Sequence, residues 1–202
     1  CIYIHLRSNL IYMKKRYTIS AIAIAAVLFA FAPAMKTLTV KPEASNIEWF
    51  AKKITGEHVG TVKLQSGSID LDGDKIRGGQ FSIDMTTINC TDLEGEYKRK
   101  FEGHLKSDDF FGIGSHKTAN FKIKKTSDIQ GVKGFNTEIV GDLTIKGITH
   151  EVTFPAKVEV KDNKLAAYGE MTIDRTKFDI KYGSSNFFEG LGDKAIMDDF
   201  TM

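Results

Sequence analysis

The chain has 202 residues, of which 28 are Lys or Arg and 26 are Asp or Glu. Residues 1–34 hold four basic residues and no acidic one, so the formal net charge changes from +2 for the whole chain to −2 for residues 35–202. Proteins that bind nucleic acid usually carry a basic stripe, and this balanced, evenly mixed charge argues against a nucleic-acid partner.

The N-terminal region has the pattern of a secretory signal peptide. Met13 opens a basic run, an uncharged apolar stretch follows over residues 19–31, and the small residues Ala32 and Ala34 flank Pro33 at its end. The apolar stretch is shorter than the roughly 20 residues of a spanning helix, although an uncleaved membrane anchor is the alternative. We expect a signal peptide over residues 13–34, cleavage after Ala34, and a periplasmic or secreted protein. Residues 1–12 are expected to be a non-native upstream segment.

Residues 35–202 have the length of one domain with a sizeable core. Their only cysteine is Cys90, so we expect no internal disulfide even in an oxidising compartment. No histidine stands near it in sequence, and we expect Cys90 to be a small half-buried residue rather than a nucleophile.

Period-two alternation of apolar and polar residues is the dominant pattern of this domain. It predicts strands over residues 46–53, 59–71, 75–88, 119–124, 138–145, 151–160 and 165–173, with a further strand starting near residue 194. Strands with one apolar face form antiparallel sheets with one wet face, and the apolar faces are buried together in a sandwich or a barrel. Long strands joined by short turns favour a closed, eight-stranded antiparallel barrel, which removes exposed edges.

Two segments depart from this alternation. Residues 92–107 place Leu93, Tyr97, Phe101 and Leu105 at helical spacing, so we predict a short helix, with Thr91 or Asp92 as its cap and Gly95 and Gly103 weakening it. A compact aromatic loop over residues 108–112 follows. At the C-terminus, residues 194–202 form the beginning of a strand, and we expect the last strand to be incomplete.

Signatures of catalysis and metal binding are missing from the sequence. The four histidines of the domain, His58, His104, His116 and His150, do not show the spacing of a metal site. The chain also lacks a serine-nucleophile elbow, a dinucleotide-binding motif and a phosphate-binding loop. We therefore expect no catalytic residue, no metal and no cofactor.

Apolar residues on the strand faces, the helix and the aromatic loop are the candidate ligand contacts, because apolar ligands bind in aromatic-lined concavities. Small residues on the same faces, such as Gly141, Ala156 and Gly169, are expected to leave volume unfilled. The alternative is that the rings simply fill a core, and periodicity does not separate a filled barrel from a hollow one. The predicted ligand contacts are Trp49, Phe81, Ile83, Phe101, Leu105, Phe110, Phe111, Phe121, Ile123, Leu143, Phe154, Met171 and Phe178.

Four segments of the domain, in this order and at these distances, form a specific combination. They are residues 45–49 (SNIEW) followed by Lys53, Gly56, His58 and Gly60, residues 104–111 (HLKSDDFF), residues 141–149 (GDLTIKGIT) and residues 174–180 (DRTKFDI). In these segments the chain resembles the YceI-like polyisoprenoid-binding family, and the match runs over residues 38–202. Thr118 stands near a position where that family usually has a proline, which affects the local turn.

The resemblance implies an all-β, eight-stranded, lipocalin-like barrel with a short helical lid. It also implies an exported protein that holds an isoprenoid chain, such as a quinone tail or a polyprenyl phosphate, along the barrel axis. Homodimers and transient membrane contact are further expectations. By motif match, His104, Lys146 and Arg175 are predicted to lie near a headgroup, although a structural pairing of Arg175 with Asp174 or Asp179 is an equal alternative. The family's last strand continues past Phe200.

Three functional hypotheses follow from the sequence. The first is a lipid carrier or storage protein without catalysis. The second is an enzyme that modifies a lipid-like substrate inside the barrel, which needs converging titratable groups. The third is a filled barrel that serves as a stress-response scaffold without a ligand.

Overall fold

A computed structural model describes residues 35–162 and 164–202, and ten strands among them pair into one antiparallel sheet. The predicted upstream segment and signal peptide, with the cleavage site after Ala34, lie outside the described residues. The strands are β1 (Lys36–Thr39), β2 (Ile47–Lys53), β3 (Gly56–Asp72), β4 (Lys75–Cys90), β5 (Thr118–Asp128), β6 (Thr137–Ile145), β7 (Ile148–Lys161), β8 (Lys164–Gly169), β9 (Thr172–Asp174) and β10 (Ile196–Thr201).

The strand order makes the sheet curl back on itself. It runs β8-β7-β6-β5-β4-β3-β2-β10-β9, so the two outermost strands, β8 and β9, are separated along the chain by Glu170 and Met171 alone. Strand β2 pairs with residues 56–62 of β3, and β1 pairs with residues 68–71 along the same edge. Counting β1 with β2 and β8 with β9 as two bent strands gives eight long strands. The expected antiparallel barrel-like fold is confirmed.

Hydrogen-bonded pairing does not join the two ends of this strand order, so in the part of the chain that the structure describes the sheet is curled but its wall is open. In one half of its height, β10 pairs with β2 on one side and with β9 on the other. In the other half, β1 pairs with β3 and β8 pairs with β7, and within the described residues neither has a second partner. Two strand edges with free backbone N–H and C=O groups therefore flank this half of the wall.

Bulges keep the apolar residues on the inner face as the sheet bends. In β3, Val62 and Leu64 are buried at even positions, whereas Ile69 and Leu71 are buried at odd positions. A register shift against β4 between Leu64 and Ser66 produces this change. The same break in alternation is visible in the sequence.

The helix α1 (Gly95–Lys106) and the aromatic loop that follows it lie at the end of the barrel where β2 pairs with β10. Glu102 accepts a hydrogen bond from the backbone N–H of Cys90 (2.8 Å), at the end of β4. The ring of Phe101 lies 6.4 Å from that of Trp49. The helix therefore covers this end of the barrel, where the sequence predicts a helical lid.

One detail of the predicted helix is wrong. Its N-cap is Glu94, which makes no side-chain capping bond, rather than Thr91 or Asp92. Asp92 is not available for capping because its carboxylate binds groups on β3 and β4.

Among the described residues, no helix combines the length and apolar character that crossing a membrane requires.

Candidate functional site

The inner face of the barrel has a packed side and an accessible side. Most inward residues of β3 to β6, including Ile83, Ile123 and Leu143, are buried. Apart from the buried Ala156, the inward apolar residues of β7, β8, β2 and β10 are only partly covered, although they contact the same core. Examples are Val152, Phe154, Val158, Val160, Leu165, Ile47, Trp49 and Phe200. Inward apolar side chains of a fully packed barrel would be buried, so part of this wall is exposed to solvent.

Glycines in the wall give large rings room to lie against the sheet. For each of four glycines, an added Cβ would stand 2.2–2.9 Å from an aromatic ring atom, which a real Cβ does not tolerate. The pairs are Trp49 on Gly60, Phe81 on Gly67, Phe121 on Gly141, and Phe154 on Gly169. The expectation that Gly141 and Gly169 leave volume unfilled is therefore wrong, because neighbouring rings occupy that space.

Three of these rings form a row across neighbouring strands. The centroids of Phe81 and Phe121 lie 6.3 Å apart, and those of Phe121 and Phe154 lie 5.6 Å apart. Phe121 is buried, whereas Phe81 and Phe154 are partly exposed. The row connects the packed side of the wall with the accessible side.

The thirteen predicted ligand contacts divide into two groups. Partly exposed residues, for which a ligand contact stays a prediction, are Trp49, Phe81, Phe101, Leu105, Phe111, Phe154 and Met171. Buried residues, which belong to the packed core, are Ile83, Phe110, Phe121, Ile123, Leu143 and Phe178. The prediction omitted the accessible valines of β7, although their alternation had placed them on the inner face.

Aromatic stacking fills the helix-covered end of the barrel. The ring of His104 meets Phe110 and Tyr182 edge-on, at centroid distances of 4.8 and 4.6 Å. The ring of His150 meets the buried Phe178 edge-on at 5.3 Å. These contacts pack Phe110 and Phe178 into the end of the barrel that the helix covers.

Arg175, predicted near a headgroup, is a structural residue. Its side chain is buried, and all five N–H donors have acceptors: the backbone carbonyls of Ile180, Tyr182, Ile196 and Met197 and the carboxylate of Asp198. Burial lowers the pKa of the guanidinium, while Asp198 and Asp174 raise it. No donor is left for a headgroup, and the carboxylate partner is Asp198 rather than Asp174 or Asp179.

The other two predicted headgroup residues lie at the same end of the barrel. The ammonium of Lys146 donates to the backbone carbonyls of Asp108 (3.2 Å) and Asp179 (3.3 Å). His104 Nε2 lies 3.4 Å from a carboxylate oxygen of Asp109. A headgroup role for His104 and Lys146 stays a prediction.

A cluster that the sequence did not predict joins His58, Cys90 and Asp92. The Asp92 carboxylate lies 2.8 Å from His58 Nδ1 and 3.0 Å from Cys90 Sγ, and it accepts a bond from the N–H of Val59 at 3.0 Å. Partial burial of Asp92 favours its neutral form, but these bonds prevail and lower its pKa to about 2. Burial and the bond to Asp92 raise the pKa of the Cys90 thiol to about 11.

This cluster is not a nucleophilic site, because Asp92 lies between the thiol and the imidazole. A catalytic cysteine needs a lowered pKa and a base in contact with its sulfur, whereas Cys90 is fully buried and protonated. The expectation that Cys90 is not a nucleophile agrees with this geometry, although the residue is buried rather than half-buried.

A groove of about 700 Å³ crosses strands β3 to β7. Its lining includes the polar residues Ser66, Ser68, Gln80, Ser82, Asn120 and Thr144, and also Phe81 and Phe121. The polar residues alternate with the inward Ile83 and Leu143, so their side chains belong to the outer, wet face of the sheet. The apolar inner wall is therefore the better candidate site for an apolar ligand.

Sequence relatives cover most of the chain. A UPF0312 protein of Pseudomonas paraeruginosa is 26% identical over 182 residues, which span 81% of this chain and 87% of that protein. A UPF0312 protein of Staphylococcus epidermidis is 29% identical over 157 residues, which span 70% of this chain and 80% of that protein.

Two solved structures are similar in fold. BcnA of Burkholderia cenocepacia has a TM-score of 0.62 at 20% identity and covers 80% of this chain and 94% of its own. A polyisoprenoid binding domain from Saccharophagus degradans, implicated in plant cell wall breakdown, has a TM-score of 0.55 at 14% identity, with coverages of 83% and 94%. The family model of the YceI-like domain matches residues 38–202, and the chain therefore belongs to the YceI-like domain family.

Proposed function

We propose that this protein is an exported lipid-binding protein that holds a long isoprenoid chain, of a quinone or a polyprenyl phosphate, inside its barrel for transport or storage. The observation that carries this proposal is the accessible apolar wall formed by β7, β8, β2 and β10. A domain of the same fold from Saccharophagus degradans is described as polyisoprenoid-binding, and we extend that ligand class to this chain.

The chemistry of the wall favours binding over catalysis. Burial of each CH₂ group contributes about 0.8 kcal/mol, so a long prenyl chain binds tightly without a strong polar contact. Catalysis in the barrel would need converging titratable groups. The accessible residues named above, such as Val152, Phe154 and Leu165, are apolar. The cluster of His58, Cys90 and Asp92 offers a buried thiol with a raised pKa rather than a nucleophile. A filled scaffold is disfavoured because these inward side chains are incompletely covered.

Adjacent alanines on β8 provide a matched test of lipid binding. Ala167 is exposed and pairs with the inward Val158, whereas Ala166 is also exposed and pairs with the outward Glu159. We expect Ala167→Trp to fill the interior and reduce ubiquinone binding at least about tenfold, because one buried indole displaces several CH₂ groups of the ligand. Ala166→Trp should bind as the wild type does.

The measurement is native mass spectrometry and fluorescence titration of delipidated protein with ubiquinone and with a polyprenyl phosphate. Equal melting temperatures of the two variants establish that both are folded, and Val158→Trp serves as a second inward probe. Wild-type affinity in Ala167→Trp and Val158→Trp would rule out the interior as the site. Absence of any isoprenoid on protein purified from its own host, together with no uptake of added lipid, would overturn the proposal.

Export is supported by the signal-peptide pattern of residues 13–34. The test is N-terminal sequencing of the protein recovered from its host, with fractionation of periplasm, medium and membranes. A mature N-terminus at Met35 in the soluble extracytoplasmic fraction is expected. A protein that retains residues 13–34 and sediments with membranes would instead support the uncleaved anchor.

Transient membrane contact is supported by an exposed aromatic loop between β9 and β10. Phe187 and Phe188 are each 50% exposed, and the ammonium of Lys181 lies 5.2 Å from the centroid of the Phe187 ring. Aromatic side chains with neighbouring lysines favour the interface between membrane and water.

The homodimer implied by the resemblance is a separate proposal. Its test is the molar mass of the purified protein, measured by light scattering during size-exclusion chromatography.

Vesicle co-sedimentation tests the membrane contact. We expect the double variant Phe187→Ser/Phe188→Ser to lose most binding to phosphatidylcholine–phosphatidylglycerol vesicles. Tyr168→Ser is the control, because this 62% exposed ring lies on β8, away from the loop. Equal sedimentation of the double variant and the wild type would exclude the loop as the contact.

A further inference from the structure

The cluster of His58, Cys90 and Asp92 brings three different metal-ligating groups to one point. Their ligand atoms, an imidazole nitrogen, a sulfur and a carboxylate oxygen, all lie within 4.8 Å of one another. The two closest approaches are 2.8 Å from His58 Nδ1 to Asp92 Oδ2 and 3.0 Å from Cys90 Sγ to Asp92 Oδ1. Neighbouring ligands of a tetrahedral ion with bonds of about 2.0–2.3 Å lie only slightly farther apart.

Strand pairing supplies this convergence from distant parts of the chain. Trp49 pairs with Gly60, and Gly60 pairs with Cys90, so the start of β3 and the end of β4 lie side by side. His58 stands two residues before Gly60 in β3 and on the same face of the strand. The chain leaves β4 at Cys90 and places Asp92 beside both residues.

The surroundings allow an ion to enter and would hold it. The side chains of His58 and Asp92 are 24% and 31% exposed, which gives access from solvent, while Cys90 lies behind them with no exposed surface. The Phe101 ring of α1 stacks at 4.4 Å on His58. Glu102 of the same helix accepts a bond from the backbone N–H of Cys90.

We propose that His58, Cys90 and Asp92 form a binding site for a divalent transition-metal ion of the zinc class. Thiolate, imidazole and carboxylate together match borderline-soft ions such as Zn²⁺ and not Mg²⁺ or Ca²⁺, which take oxygen ligands. Three protein ligands leave a fourth position for water. This site adjoins the apolar wall proposed to hold the lipid, because the ring of Phe101 lies 4.4 Å from that of His58 and 6.4 Å from that of Trp49, but its three ligands are not among the lipid contacts.

Binding of the ion can be written with protons and charges balanced. The ion replaces the thiol proton that Cys90 donates to Asp92, and this proton leaves to solvent. In the metal-free protein, His58 Nδ1 donates its proton to the ionised Asp92 carboxylate. On binding, the imidazole gives up this Nδ1 proton to solvent, takes one up on Nε2, and coordinates the ion through Nδ1. The positive charges of the ion are matched by one thiolate and one carboxylate. Because α1 rests on His58 and Cys90, the ion would fasten the helix to β3 and β4.

Metal titration of the full protein, purified from an exporting host and stripped with a chelator, tests the site. We expect one Zn²⁺ per chain by calorimetry, and with Co²⁺ a near-ultraviolet thiolate-to-metal charge-transfer band. A bound ion stabilises the folded state, and a hundredfold excess over Kd corresponds to about 2.7 kcal/mol, so the melting temperature should rise with Zn²⁺.

Variants separate this site from adventitious binding. Cys90→Ser should lose the charge-transfer band, and His58→Ala should weaken Zn²⁺ binding at least about tenfold. His116→Ala, outside the cluster, should bind as the wild type does. The proposal fails if the wild type takes up no Zn²⁺, or if His58→Ala and Asp92→Asn both retain wild-type affinity. If Cys90→Ser does not fold, the wild-type Co²⁺ spectrum and the His58 and Asp92 variants decide the outcome.

Discussion

The indole of Trp49 lies against Gly60 on the neighbouring strand. A Cβ at Gly60 would stand 2.2 Å from Cζ2 of the indole and 2.1 Å from the backbone oxygen of Asn89. Both distances are too short for any real side chain, and the Asn89 oxygen is a backbone atom that cannot move aside freely. The glycine therefore determines that the ring of Trp49 occupies this part of the inner wall.

The substitution Gly60→Ala should lower the free energy of unfolding by about 1–3 kcal/mol, the usual cost of inserting a methyl group into a packed site. Urea unfolding followed by Trp fluorescence measures this change. Gly114→Ala is the control, because a Cβ there meets nothing within 4 Å. A Gly60→Ala variant as stable as the wild type would contradict the close packing of Trp49.

Gly103 lies in the exposed middle of α1, where an added Cβ would meet open space. Alanine has a higher helix propensity than glycine by about 0.8–1.0 kcal/mol. We expect Gly103→Ala to raise the free energy of unfolding by up to about that amount in chemical denaturation. A decrease would show that α1 needs flexibility at this position.

Replacing Arg175 by Met should lower the free energy of unfolding by about 3–5 kcal/mol. The substitution leaves Asp198 and four backbone carbonyls without their cationic donor in a buried site. Arg77→Met is the matched control, because Arg77 pairs with Asp72 on the surface and such pairs contribute at most about 1 kcal/mol. Similar losses in both variants would contradict the structural role of Arg175.

The Cys90 thiol should react slowly with iodoacetamide in chelator-treated native protein. With a pKa of about 11 in the folded state and about 8.5 when unfolded, the thiolate fraction at pH 8 falls by about two orders of magnitude on folding. Mass spectrometry after timed quenching measures the rate, with urea-unfolded protein for comparison. Equal rates in both states would show that the thiol is neither buried nor protonated.

Asp92 should make the metal-free protein sensitive to acid. Its pKa is about 2 in the folded state and near 3.9 when unfolded. Because the folded pKa is depressed, the stabilising contribution is complete above about pH 4 and is lost as the pH falls through 2. The stability difference between wild type and Asp92→Asn, measured by urea unfolding in chelator, should therefore shrink over this range. A pH-independent difference would contradict the assignment.

Strand positions were predictable because alternation is a local property. The phase break in β3, with Leu64 and Ile69 on the same face, is visible in the residues themselves. Strand β1 was missed because four residues carry too little periodicity. The single strand predicted over residues 165–173 is two strands in the structure, β8 and β9, separated by Glu170 and Met171. Strand β8 pairs with β7, whereas β9 pairs with β10.

The sequence by itself determined the antiparallel β class, the helix, the inward and outward faces, and the resemblance to the YceI-like family. Tertiary structure alone decided which inward residues are covered, where Arg175 finds its acceptors, and that His58 meets Cys90 and Asp92. The physical reason is that alternation assigns a side chain to one face of its strand but does not specify the register between that strand and its neighbours. Burial and contact depend on which residue of a distant strand lies opposite.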